Sequence, residues 1–335
     1  MFAPIFLICL VSVFPCIAQE RLKREEVKFQ NGDVTLAGTL TLPAANRRHP
    51  ALVIIHAAGL EKREDYRDYS DVFARHGISV LAYDMRGVGA STGNSLLPTF
   101  EDLAGDALAG VQFLKNRSDI NPKQIGLWSL SRGGLTAPLI AARSKDIAFM
   151  VLVSPVVVTP FENDVRSLES RLRAASFSAS EVAEAVALYK MGIDVAKTGE
   201  GYEALSSSFQ RARGERWFSY LPVTQLPPKG HFSWQNLRQI MSYDPAPVWE
   251  KVTCPVLALF GGMDTAISVE ENKARLKRSL KKGKNRNYKI KVFPKANHLM
   301  MMAKIDSATN SDQQYVTGYF ETIIAWLRKH VRASS

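Results

Sequence analysis

The sequence predicts an α/β fold. It is a mostly parallel sheet with helices on both faces, antiparallel strands at its N-terminal end and one helical insert. Three observations predict it. Short, wholly apolar runs take turns with segments of helical periodicity, and strands with no polar face are those buried on both sides of a parallel sheet. Residues 27–42 instead alternate about Asn31-Gly32-Asp33, the pattern of paired strands joined by a tight turn. From 159 to 247 the apolar runs stop and helical patterns replace them.

Taken in order, 51–56 is the first fully apolar strand. Residues 69–76 are helical and stop at Gly77, and 78–83 is a second buried strand. An amphipathic helix at 100–117 leads to a strand at 124–129, a helix at 135–143 and a strand at 149–153. In the insert, 162–177 and 180–195 read as helices, the second with Ser180 as N-cap supported by Glu184. Trp217, Phe218, Tyr220, Phe232 and Trp234 follow among prolines. The strand–helix rhythm then resumes with 255–260, 269–280, 288–293 and a last helix at 312–331. The expected organisation is a core of 19–158 and 248–335, with 159–247 as a lid over the C-terminal edge of the sheet. That edge is where open α/β sheets bind ligands.

A chain of 335 residues, 46% hydrophobic and 22% charged, has the composition of a soluble globular protein. Residues 1–18 are almost wholly apolar, and Cys16-Ile17-Ala18 places small residues where a signal peptidase reads. The expectation is a signal peptide, Gln19 as the first mature residue, and export to the periplasm or beyond. No other segment is long enough to span a bilayer, so the mature chain is expected to have no integral membrane span. Of three cysteines, cleavage leaves Cys254 alone, a small core residue with no disulfide partner. The net charge of +11 is concentrated in 21–24 and 273–291. Leucines at helical spacing break the second run, and no stacking aromatics accompany it. It reads as a solvated helix face, so no nucleic acid is expected as a partner.

The chemistry centres on Ile125-Gly126-Leu127-Trp128-Ser129-Leu130-Ser131-Arg132-Gly133-Gly134. An apolar strand ends in small-x-Ser-x-Gly and a helix follows, the sequence form of a nucleophile elbow. The residues two before and two after the nucleophile crowd together, so only small ones fit. Here they are Ser129, where glycine is usual, and Gly133. A serine hydroxyl needs a base to take its proton, and the base needs a carboxylate to orient it. On an elbow the order is Ser, acid, His. Asp264 leaves the strand at 255–260, and His298 follows the strand at 288–293. The remaining histidines, His49, His56, His76, His231 and His330, fit that order less well. For the oxyanion, the amide of Arg132 follows the nucleophile, and His56-Ala57-Ala58-Gly59 leaves an early strand. The second donor is assigned to Ala58, with Ala57 as the alternative.

With these residues in place the chain resembles the α/β-hydrolase superfamily over nearly all of its mature length. Tyr83-Asp84-Met85-Arg86-Gly87-Val88-Gly89-Ala90-Ser91 is similar to that family's Asp-x-Arg-Gly-x-Gly-x-Ser segment, which is architectural. Cys254-Pro255-Val256-Leu257 with Gly261, and Phe293-Pro294 with Asn297-His298, are also familial. The likeness is greatest to bacterial lidded carboxylesterases and serine-aminopeptidase-like hydrolases. Ala57 departs from the family's common His-Gly-x-Gly. The resemblance implies an α/β-hydrolase fold and a serine hydrolase acting on a small-molecule ester or acyl substrate through an acyl-enzyme. It implies no metal and no cofactor. Carboxylesterase is the first expectation, with peptidase, amidase or thioesterase chemistry on the same three residues as alternatives. A binding protein that kept the fold and lost the chemistry is the remoter one, and the intact Ser131, Asp264 and His298 argue against it.

Overall fold

The structure is a computed structural model that describes residues 22–45, 47–96, 98–302 and 314–331. The expected signal peptide at 1–18 lies outside them. β1 (Lys23–Asn31) and β2 (Val34–Leu42) form the expected hairpin, with Gly32 at φ 56° in the turn. The other strands are β3 (His49–Ile55), β4 (Ser79–Tyr83), β5 (Ile120–Leu130), β6 (Ile147–Val153), β7 (Val256–Gly261) and β8 (Tyr288–Phe293). One eight-stranded sheet results, in the order β1-β2-β4-β3-β5-β6-β7-β8. β2 runs antiparallel to both its neighbours, and β3 to β8 are parallel to one another.

Side chains alternate across each strand, so the two faces divide the apolar runs between them. Leu52 and Ile54 join Trp128, Phe149 and Leu257 on one face, under α1 (Arg67–Arg75) and α10 (Tyr319–His330). Val53 and Ile55 join Leu127, Met150 and Ala258 on the other, under α2 (Phe100–Lys115), α3 (Gly133–Arg143) and α9 (Val269–Lys282). That double cover is why the strands carry no polar face. α9 buries Leu276 and Leu280 and turns its lysines outward, as expected for a solvated face. Burial pushes the Cys254 thiol up to about 12, so it stays protonated and inert.

Between β6 and β7 lie α4 (Pro160–Ala174), α5 (Ala179–Thr198), α6 (Tyr202–Ala212), α7 (Ser233–Met241) and the short α8 (Ala246–Trp249). No strand occurs among them, and Leu168, Leu172, Leu205 and Phe209 extend the core of the α3 face. The N-cap of α5 is Ser178, not Ser180. Glu181 N donates to Ser178 Oγ (3.3 Å), and Ser178 N donates to Glu181 Oε2 (2.8 Å). A capping box closes at a three-residue spacing, which Ser178 and Glu181 have and Ser180 and Glu184 lack. Ser180 instead donates to Glu184 Oε1 from within the first turn. α6 and α7 were not expected: both are amphipathic, but neither N-cap, Gly201 or Phe232, supplies the side-chain cap that marks a helix start in sequence. β5 starts earlier than expected because Ile120 pairs with His49. The last helix starts at Tyr319, not at 312: residues 314–318 are non-helical and Gly318, at φ 83°, caps the helix, while 312 and 313 lie outside the described residues.

No helix among the described residues is long and apolar enough to cross a membrane.

Candidate active site

β5 delivers Ser131 at the C-terminal edge of the sheet. Leu130 pairs with Val153 of β6, and Ser131 then turns to φ 52°, a left-handed conformation costly for a residue with a Cβ. Three hydrogen bonds hold the turn. Ser131 N donates to Val153 O (2.9 Å), and Ser131 O accepts from Gly134 N (3.0 Å) and Val156 N (2.9 Å). A Cβ on Gly133 would stand 2.8 Å from Ser129 Cβ and 3.0 Å from His56 O. This contact explains the irregular Ser129. One member of the crowded pair must be bare, and Gly133 supplies it, so Ser129 keeps its side chain.

Asp264 and His298 stand two and three strands away, on the loops leaving β7 and β8. His298 Nδ1 and Asp264 Oδ2 are 2.7 Å apart, with the aspartate side chain 0% exposed and the histidine 20% exposed. Asp264 Oδ1 accepts from Ala266 N (2.8 Å) and Ile267 N (3.1 Å), which fixes the carboxylate's other oxygen toward the ring. The two loops are stitched together by their backbones, Gly262 N to Phe293 O (2.8 Å) and Met263 N to Ala296 O (2.9 Å). A Cβ on Gly261 would come within 2.6 Å of Ala296 O, so the approach needs glycine. Asn297 organises the histidine's turn, its Oδ1 accepting from Leu299 N and Met301 N. β6 links this pair to the elbow. Its end accepts from Ser131 N at Val153, and the next residue, Ser154, donates from Oγ to His298 O (2.8 Å).

The expected oxyanion loop, His56 to Gly59, has a partner that sequence reasoning missed. Ala57 N donates to Glu61 Oε2 (2.7 Å), and the neighbouring Ala58 amide weakly favours the ionised form of that carboxyl. The Tyr66 hydroxyl donates to the same oxygen. Burial raises the Glu61 pKa against these donors. The available signal was an acid four residues beyond Ala57, a spacing at which a carboxylate can reach back to its own loop's amides. His56 is buried, its pKa lowered by desolvation, and its Nε2 donates to Tyr83 O (2.7 Å). It is a neutral tie between β3 and β4. No hydrogen bond engages the Arg132 amide among the described residues. Ser154 was also missed, and an apolar strand ending in serine beside the elbow strand was its signal.

The Asp84-to-Ser91 segment is architectural. Asp84 accepts from Arg63 N and Ala90 N, Ser91 Oγ donates to Asp84 O, and Arg86 grips Asp106 through two bonds of 2.8 and 2.7 Å.

Residues 47–304 match the family described as serine aminopeptidase, S33 (Hydrolase_4). Over 286 residues, 82% of the chain, the sequence is 27% identical to the esterase EstD of Thermotoga maritima. That match spans 60% of the esterase's own length. Over 144 residues, 42% of the chain and 44% of the relative, it is 34% identical to the thiohydrolase aneE of Aspergillus aculeatus. The solved α/β-hydrolase GrgF from Penicillium sp. sh18 shares the fold. Its TM-score is 0.60 at 20% identity, over 92% of this chain and 99% of that one.

Proposed function

This chain belongs to the serine aminopeptidase S33 family of α/β-hydrolases, and on that premise we propose that it is a carboxylesterase working through an acyl-enzyme on Ser131. The observation that carries the reading is the buried Asp264 bound at 2.7 Å to His298 beside the strained turn of Ser131. His298, held by Asp264, takes the Ser131 proton as Oγ attacks the ester carbonyl. The amides of Arg132 and Ala58 receive the oxyanion, while Glu61 holds the Ala57 amide next to it. The alcohol leaves with the proton from His298, and water cleaves the acyl-enzyme with the same base. The relatedness to the esterase EstD supports ester over amide. The match to the thiohydrolase aneE favours thioesters as the second reading. The insert at 159–247 serves as the lid, and the apolar residues 1–18 direct export with cleavage near Ala18. N-terminal sequencing of exported material tests that cleavage.

The experiment is labelling with a fluorophosphonate, alongside turnover of p-nitrophenyl esters, acyl-CoA thioesters and aminoacyl anilides. Labelling at Ser131, lost in Ser131→Ala, with esters turned over fastest, is the expected result. No labelling, or labelling that survives Ser131→Ala, overturns it.

A further inference from the structure

The insert, with Leu96 and Arg132, lines a partly open cavity of about 350 Å³, within the about 300–1,000 Å³ range of small-molecule sites. Leu205 and Phe209 of α6 and Trp234 and Leu237 of α7 wall it, and it reaches the elbow at Arg132, the residue after Ser131. Two charged residues line it. Tyr189 donates to Asp164 Oδ2 (2.9 Å), and the Arg132 charge acts on the same phenol. Most of the remaining wall is aliphatic or aromatic. Of the five insert aromatics the sequence singled out, only Trp234 lines the cavity. Trp217 is buried in the core, and Phe218 and Tyr220 pack on Phe209 and Phe177.

Gly192, inside α5, also lines the cavity. A Cβ there would meet nothing closer than Leu205 Cδ1 at 4.0 Å. Alanine would fit without a clash and is the better helix former, so packing does not demand the glycine. What glycine preserves is open space.

We infer that this cavity receives the acyl chain of the substrate, an unbranched apolar chain of about eight to ten carbons, and that Gly192 sets its depth. The inference rests on the esterase reading above. At roughly 30 Å³ for each water-sized group, the volume holds about twelve such groups, enough for a chain of that length with its carbonyl oxygen. The acyl half is assigned because it stays bound to Ser131 through both half-reactions, which an apolar cavity reaching the elbow at Arg132 suits. The leaving alcohol must depart before water enters.

The test is a graded substitution, Gly192→Ala and Gly192→Leu, read as the ratio of kcat/KM for p-nitrophenyl decanoate to that for p-nitrophenyl acetate. Each buried methylene is worth about fourfold. Alanine displaces about one, so the ratio falls about fourfold, and leucine lowers it by about 15-fold or more. A ratio unchanged within twofold overturns the inference. So does a fall that appears only when the alcohol of acetate esters is lengthened. Calorimetric binding of undecan-2-one reads the cavity without catalysis. Binding weakened in Gly192→Leu upholds the cavity even if no ester is cleaved, whereas equal binding, or none to the parent protein, refutes it.

Discussion

Asp264→Asn separates the role of the carboxylate from its shape. Asp264 Oδ1 faces two amide donors, Ala266 N and Ile267 N, and Oδ2 faces His298 Nδ1 at 2.7 Å. In asparagine the single oxygen must take the side of the two amides, because an NH2 there would meet donors. The NH2 then points at His298 Nδ1, which must become an acceptor. The ring proton moves to Nε2, the nitrogen that has to receive the Ser131 proton. An inverted tautomer of this kind costs about 10⁴ in kcat, or about 5.4 kcal/mol of barrier at about 1.36 kcal/mol per tenfold. The fold should survive, since the shape and both amide bonds are kept. The assay is hydrolysis of a p-nitrophenyl ester, with circular dichroism to confirm folding. A folded variant that loses less than tenfold in kcat would refute the assignment of Asp264 and His298 as orienting acid and base.

Three further outcomes are expected. Gly133→Ala places a methyl 2.8 Å from Ser129 Cβ and 3.0 Å from His56 O, an overpacking cost of about 1–3 kcal/mol. The double variant Ser129→Gly/Gly133→Ala should recover part of it in urea unfolding, and no recovery would refute the crowded-pair account. Arg86→Ala leaves Asp106, 1% exposed, with Asn31 Nδ2 as its remaining side-chain donor among the described residues. Breaking a buried pair this way costs about 3–5 kcal/mol, read from the urea midpoint. Glu61 is protonated more easily when folded than when unfolded. Between its two pKa values the folded state holds the extra proton, so its contribution to stability is greatest at acid pH and declines as pH rises through the raised value. Glu61→Gln keeps an acceptor for Ala57 N and removes that decline. Its melting temperature relative to the parent should rise from about pH 4 to about pH 8, and a constant difference would refute it.

The fold was legible because its signals are local. A strand buried on both faces must be apolar throughout, as 51–56 and 78–83 are, and a hairpin declares itself at Asn31-Gly32-Asp33. The candidate residues Ser131, Asp264 and His298 were read from equally local signals. Ser131 and Asp264 were placed past apolar strands and His298 past the mixed strand Tyr288–Phe293, and a parallel sheet carries all such loops to one edge. Helix ends and the short helices of the insert were less legible, because Ser178 and Ser180 differ only in which glutamate closes the box.

What the sequence determined by itself, then, was the order of buried strands and the residue types that end them, since backbone conformation and two-faced burial are written in neighbouring residues. Only the tertiary structure decided that β6 lies between the elbow strand and the strand of Asp264, so that Ser154 binds the His298 backbone. Only it revealed that Glu61 accepts from the Ala57 amide of the expected oxyanion loop, why Ser129 is accepted, and that Gly192 lines a cavity reaching Arg132. These are distances between side chains and backbone that packing sets, and the local patterns at Glu61 and Ser154 hint at such contacts without fixing their partners.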